Sequence, residues 1–285
     1  MKNKLKLGLS NCGGHCHDLA QTRCDLDAFI KYKEAGIDVI EVSYSSSYKG
    51  LDFDLIKKNS QISGLELWSF HLPFAPNTEV DISSQDKDIF KNTIKVLSEY
   101  TKQAGDAGFN CTVIHPSSEP IEDKDRAEKM KIAKEGLATL AEVSAKEGLT
   151  LCVEDLPRTC LGRNSTEIKD LISADDRLRV CFDTNHLLQE EIKDFIKNVG
   201  DKIYTLHVSD YDRVDERHWL PGEGIIDWAE LIGLLDEFDY KNPFVYELGF
   251  VSKTANRSRG LTYSDFYDNF NLLMTEPEKV KNLKI

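Results

Sequence analysis

The chain has 285 residues, 40% of them hydrophobic and 30% charged, the balance of a globular protein with a sizeable core. Its formal charge is −13, so its surface repels phosphate backbones and anionic lipid headgroups, and no nucleic-acid or membrane partner is expected unless a local basic patch intervenes. The opening segment, MKNKLKLGLS, carries lysines but no apolar stretch, and no run approaches the ~20 residues of a membrane span. A cytoplasmic protein is therefore expected, with its seven cysteines all reduced.

In chain order, a strand is expected over 5–10, followed by the Gly-rich stretch Asn11-Cys12-Gly13-Gly14-His15-Cys16-His17-Asp18. Two Cys and two His so close together are a candidate zinc site. The spacing matches no common structural zinc pattern, however, and no second half appears later, so a loop with incidental soft residues is the preferred reading. A helix over 26–35 leads to strand two over 38–44, a weaker helix over 52–58 and strand three over 66–72. The helical pattern over 86–107 precedes strand four at 111–115, and that over 125–147 precedes strand five at 150–155. Then come a helix over 166–173, strand six at 179–183, a helix over 190–198 and strand seven at 203–209. A helix over 228–238, strand eight at 244–248 and a helix over 264–273 close the chain. Ser165 and Thr262 offer N-cap side chains for two of the helices.

Most of these strands are apolar at consecutive positions, as in parallel strands covered on both faces. Cys111, Cys152 and Cys181 lie inside them, where cysteine behaves as a small core hydrophobe. Eight strands, each followed by a helix, predict an α/β fold, a single (β/α)₈ TIM-barrel domain over 1–285. A doubly wound sheet would be favoured by a G-x-G-x-x-G turn after the first strand, which is missing, and no Pro-, Gly- or Ser-rich linker divides the chain.

Such barrels carry their active sites at the C-terminal ends of the strands. Strand three ends in Ser69-Phe70-His71-Leu72-Pro73-Phe74, strand four in Val113-Ile114-His115-Pro116 and strand five in Val153-Glu154-Asp155. Strand six ends in Phe182-Asp183-Thr184-Asn185-His186, strand seven in His207-Val208-Ser209-Asp210 and strand eight in Tyr246-Glu247. One such residue alone is an ordinary core or loop residue. Several ionisable groups on adjacent strand ends would repel or stay poorly satisfied without a cation. Glu154, Asp183, His207 and Glu247 are accordingly the candidate metal ligands, a set suited to one divalent ion: Mn²⁺ first, with Mg²⁺, Zn²⁺ or Co²⁺ as alternatives.

The chain resembles the xylose isomerase-like barrels, which include sugar phosphate isomerases and epimerases, ketose 3-epimerases, inosose dehydratases and type IV endonucleases. The carriers are the strand-end segments just quoted together with His218-Trp219-Leu220-Pro221-Gly222-Glu223-Gly224. The resemblance implies that Glu154 and Glu247 also move protons, and that His186 and Arg213 bind substrate oxygen. The physical reading agrees: a metal chelating a carbonyl and its neighbouring hydroxyl stabilises an enediolate, and two glutamates on opposite sides suit epimerisation. The function expected is a metal-dependent isomerase or epimerase for a carbohydrate, sugar phosphate or cyclitol, forming, if anything, a homodimer. His71, His115 and His218 are candidate substrate contacts, and Trp68 and Phe74 candidate walls of the pocket. Each has a plainer reading, in turn geometry or core filling, and for Arg213 it is a solvated loop arginine flanked by Asp212 and Asp215.

Two rivals share the scaffold. An inosose or dehydroshikimate-type dehydratase, or a lyase, would exploit the same intermediate. A type IV endonuclease would hold three zinc ions with His71, His115, Glu154, Asp183, His186, His207, Glu216, His218 and Glu247, Glu216 standing where that family uses Asp. The acidic chain argues against it, since a DNA enzyme needs basic groups round the mouth. Arg163, Lys253, Arg257 and Arg259 are candidate phosphate contacts in polar stretches where solvated charge is the default.

Overall fold

A computed structural model describes residues 5–11, 24–43 and 51–283. The strands are β1 (Leu7–Ser10), β2 (Val39–Ser43), β3 (Glu66–His71), β4 (Cys111–Ile114), β5 (Thr150–Glu154), β6 (Arg179–Asp183), β7 (Ile203–His207) and β8 (Phe244–Tyr246). The helices between and after them are α1 (Leu26–Glu34), α2 (Phe53–Ser63), α3 (Lys87–Ala107), α4 (Asp123–Lys146), α5 (Ser165–Ile172), α6 (Ile192–Val199), α7 (Trp228–Glu237) and α8 (Tyr263–Thr275). Every pairing is parallel, in the order β7-β6-β5-β4-β3-β2-β1-β8. The ring closes where Val208 bridges Tyr246, its N–H donating to the Val245 carbonyl at 2.8 Å. This is a (β/α)₈ barrel.

Two apolar cores follow from the alternation of side chains along each strand. Leu7, Leu9, Phe70, Phe182 and Leu206 point outward against the helices. Val39, Trp68, Cys111, Val113, Cys152, Cys181 and Val245 fill the barrel itself. The three strand cysteines are thus packed as core residues, as expected. Gly8 lies where β1, β2 and β8 crowd together: an added Cβ would stand 2.8 Å from Val245 Cγ2 and 2.9 Å from Val39 Cγ2. Gly8→Ala is expected to destabilise the fold by about 1–3 kcal/mol through overpacking, read as a lower urea midpoint at unchanged slope.

Several strands stop short of their apolar runs because side chains replace the ladder. The Asp183 N–H goes to the Asp155 carboxylate at 2.7 Å, and Thr184 Oγ1 bonds the Ser209 carbonyl at 2.6 Å and N–H at 3.0 Å. Helix α2 runs further than its sequence suggested. Asp52 caps it through the Leu55 N–H, Asn59 is buried within its polar-looking second half, and Gly64 ends it at φ 71°. At α5 the cap is Asn164, not Ser165, whose hydroxyl is drawn to Glu190 instead. At α8 the Thr262 cap holds, with its N–H donated to Asp265.

Candidate active site

The inward positions that carry Cys152, Cys181, Thr205 and Val245 within the barrel carry, two residues on, Glu154, Asp183, His207 and Glu247 at its mouth. All four are buried, Asp183 and His207 completely. One donor atom from each lies within 4.8 Å of the others. His207 Nδ1 is 3.2 Å from Glu154 Oε1 and 3.0 Å from Glu247 Oε2. Asp183 Oδ1 accepts the Asn185 N–H at 2.7 Å, while its Oδ2 is buried without a hydrogen-bond partner among the described residues.

Electrostatics shows the strain of this gathering. Burial opposes the charge on Glu154, yet His207 and His115 hold its carboxyl well below the usual range. Burial likewise opposes charge on Glu247, which His207 draws down to about 2. Asp183 is pushed well above the ordinary value by burial and by Glu247 and Glu154, despite His186 beside it. Like charges crowded together in this way, with a carboxylate oxygen that has no hydrogen-bond partner among the described residues, fit a divalent cation, which would relax the repulsion and use that oxygen.

Two histidine pairs flank the four. His71 Nε2 and His115 Nε2 stand 3.1 and 3.2 Å from Glu154 Oε2. On the other side His186 Nδ1 donates to the Asp155 carbonyl at 2.8 Å, leaving Nε2 at 3.2 Å from Glu216 Oε2. His218 Nδ1 meets the Glu247 carbonyl at 3.0 Å, and Asn185 Oδ1 accepts the N–H groups of Arg217 and His218. That hold keeps His218 at φ 51°, a left-handed backbone uncommon for a side-chain-bearing residue. Each flanking trio, His71–His115–Glu154 and His186–Glu216–His218, also brings donor atoms within 4.8 Å.

Above these groups opens a cleft of about 570 Å³. Phe74 forms part of its wall, stacked on the His115 ring at 4.2 Å, and Leu156 and Pro157 add further apolar lining. Its one arginine among the described lining residues, Arg158, binds Glu119, Asp215 (2.8 Å) and Glu216 (2.9 Å), tying three rim loops together.

The structure brings His71, His115, Glu154, Asp183, His186, His207, His218 and Glu247 together and leaves Arg213 out. Arg213 stands at φ 62° on the loop after β7, pairs with Glu191 and does not line the cleft. Trp68 is also not a pocket wall: it fills the barrel, stacked on Tyr204 with its Nε1–H donated to Thr205. Of the proposed phosphate contacts, Arg257 is buried in a pair with Glu223, Arg163 lies against Glu167, and Arg259 binds Asp265. Cys12, His15, Cys16 and His17 lie outside the described residues. Sequence reasoning passed over Arg158 and Glu41. Arg158 carried no signal, but Glu41 did: it is an acid inside the apolar run Val39-Ile40-Glu41-Val42. None of the described helices is long and apolar enough to cross a membrane.

Residues 29–261 match the family described as the xylose isomerase-like TIM barrel. Among curated proteins, a "Probable endonuclease 4" of Finegoldia magna is 27% identical over 173 residues, 55% of this chain and 61% of that protein. An inosose dehydratase of Klebsiella pneumoniae is 27% identical over 135 residues, 40% of this chain and 45% of that one. The chain therefore spans less than two thirds of either relative. Among solved structures, a D-tagatose 3-epimerase-like protein superposes with a TM-score of 0.78 at 17% identity, covering 95% of this chain and 97% of its own, a likeness of fold.

Proposed function

This chain belongs to the xylose isomerase-like TIM barrel family, and from that premise we propose that it is a divalent-metal-dependent isomerase or epimerase acting on a carbohydrate or cyclitol. The observation that carries the reading is the meeting of Glu154 and Glu247, at the ends of β5 and β8 and lining the cleft, with the fully buried Asp183 and His207. A divalent cation held by these four would supply positive charge where an oxyanion develops as a carbon beside a carbonyl loses its proton. Three carboxylates and one imidazole suit Mn²⁺ or Mg²⁺ best, with Zn²⁺ and Co²⁺ as alternatives.

Glu154 and Glu247 then divide the proton work. One carboxylate removes the proton from one face and the other returns it from the opposite face, which inverts the carbon. Return to the neighbouring carbon by the same carboxylate exchanges aldose and ketose instead. His71, His115, His186 and His218 line the cleft. His71 and His186 hold Leu72, Glu154, Asp155 and Glu216 through both ring nitrogens, so His115 and His218 are the better placed to meet substrate hydroxyls. Phe74 offers an apolar face to the C–H side of a sugar ring. Arg213, turned to Glu191, has no part in this proposal.

A second reading, a type IV endonuclease, is favoured by the two flanking trios, which repeat that family's donor pattern around Glu154 and Glu216. The rim opposes it. Arg158 is already bound to three carboxylates, and a duplex needs unengaged cations round the mouth. A product assay separates the readings: Mn²⁺-loaded protein is incubated with ketoses, their phosphates, inososes and an abasic duplex. An epimer or aldose product supports the proposal. A dehydrated inosose moves the chain to the dehydratases, and incision of the duplex with no sugar product overturns the sugar reading.

A further inference from the structure

Glu41 is fully buried inside the barrel and has no place in the proton transfers just described. It faces the interior by the alternation of β2, two residues on from Val39, with Ile40 and Val42 turned to the outer core. The shift in β2–β3 register between Ile40 and Glu41 sets it level with Ser69. Its Oε2 accepts the Ser69 hydroxyl at 2.7 Å and lies 3.0 Å from His207 Nε2, and its Oε1 has no hydrogen-bond partner among the described residues. A buried carboxylate costs several kcal/mol unless something compensates it, and an apolar side chain would fill this space more cheaply. What the carboxylate does is act on one ring. It occupies the far nitrogen of His207, whose near nitrogen, Nδ1, faces Glu154 and Glu247.

We propose that Glu41 is a positioning residue: it takes the Nε2–H of His207 and so turns the Nδ1 lone pair towards Glu154, Asp183 and Glu247. An imidazole that ligates through one nitrogen is fixed in tautomer and orientation by the acceptor its other N–H finds. Here that acceptor comes from β2, three strands round the barrel from the β7 that carries His207, and it meets the ring edge opposite to the one that faces Glu154 and Glu247. Ser69 fixes the carboxylate in turn. The inference rests on the reading of Glu154, Asp183, His207 and Glu247 as cation ligands.

The test compares wild type, Glu41→Gln and Glu41→Leu by calorimetric Mn²⁺ titration, and by NMR of the imidazole protons in Zn²⁺-loaded, ¹⁵N-histidine-labelled protein. Wild type is expected to show a low-field Nε2–H resonance for His207, protected from solvent exchange. Glu41→Leu should keep its melting temperature, lose that resonance and bind Mn²⁺ about 10–100-fold more weakly. Glu41→Gln retains a carbonyl acceptor, so it should keep the resonance and recover most of the affinity. Affinity in Glu41→Leu within about twofold of wild type, or a Gln variant as impaired as Leu, overturns the inference while leaving the ligand set intact. A wild-type protein that binds no Mn²⁺, Mg²⁺ or Zn²⁺ overturns the ligand reading and this inference with it.

Discussion

Glu154→Gln is expected to reduce turnover by about 10²–10⁴-fold, the range a positioned general base supplies, and to weaken cation binding as well. The amide can neither take up a proton nor carry the charge that His71, His115 and His207 gather round. Asp183→Asn separates the two roles. It removes a ligand without removing a proton carrier, so saturating Mn²⁺ should restore a larger share of turnover in Asp183→Asn than in Glu154→Gln. Steady-state kinetics across a Mn²⁺ series, beside calorimetric affinities, reads both effects. Equal recovery of the two variants would make Glu154 a ligand only.

The largest expected effect on stability lies away from the floor of the cleft. Arg257 and Glu223 are paired through two hydrogen bonds of 2.7 Å, with side chains only 3% and 4% exposed. Glu223 also accepts the Leu220 N–H at 2.8 Å, so the pair ties the loop after β8 to the loop that carries Glu216 and His218. Glu223→Ala would leave the guanidinium buried without its counter-charge, at a cost of about 3–5 kcal/mol. Urea unfolding measures it. The double variant Glu223→Leu/Arg257→Met should recover most of the loss, because the cost is that of an unmatched charge and not of an empty space. A single variant within about 1 kcal/mol of wild type would mean that water reaches Arg257.

Much of this architecture was legible because parallel strands covered on both faces read as unbroken apolar runs, and an acid or histidine closing such a run is conspicuous. Glu154, Asp183, His207 and Glu247 were singled out in that way, from strand ends, and the barrel brings the four together. Glu41 was missed because it lies inside its run and not at its end, and its partners, Ser69 on β3 and His207 on β7, are brought to it only by the closed barrel. Resemblance alone pointed to Arg213 as a substrate contact, but it stands in a left-handed turn on the loop that the Asp210–Trp219 bridge begins, with its side chain on Glu191. Trp68 was offered to the pocket by its strand position, whereas packing against Tyr204 and Thr205 holds it below. Arg257 looked like a solvated charge because its partner, Glu223, is 34 residues away in sequence.

Solvent isotope exchange tests the central claim most directly. With Mn²⁺-loaded protein and its ketose or inosose in D₂O, deuterium should enter at a carbon beside the carbonyl. The exchange should stop on chelation and return when Mn²⁺ is restored. Product formation with no deuterium at that carbon, or exchange at full rate in Glu154→Gln and Glu247→Gln alike, would contradict proton transfer by these two glutamates.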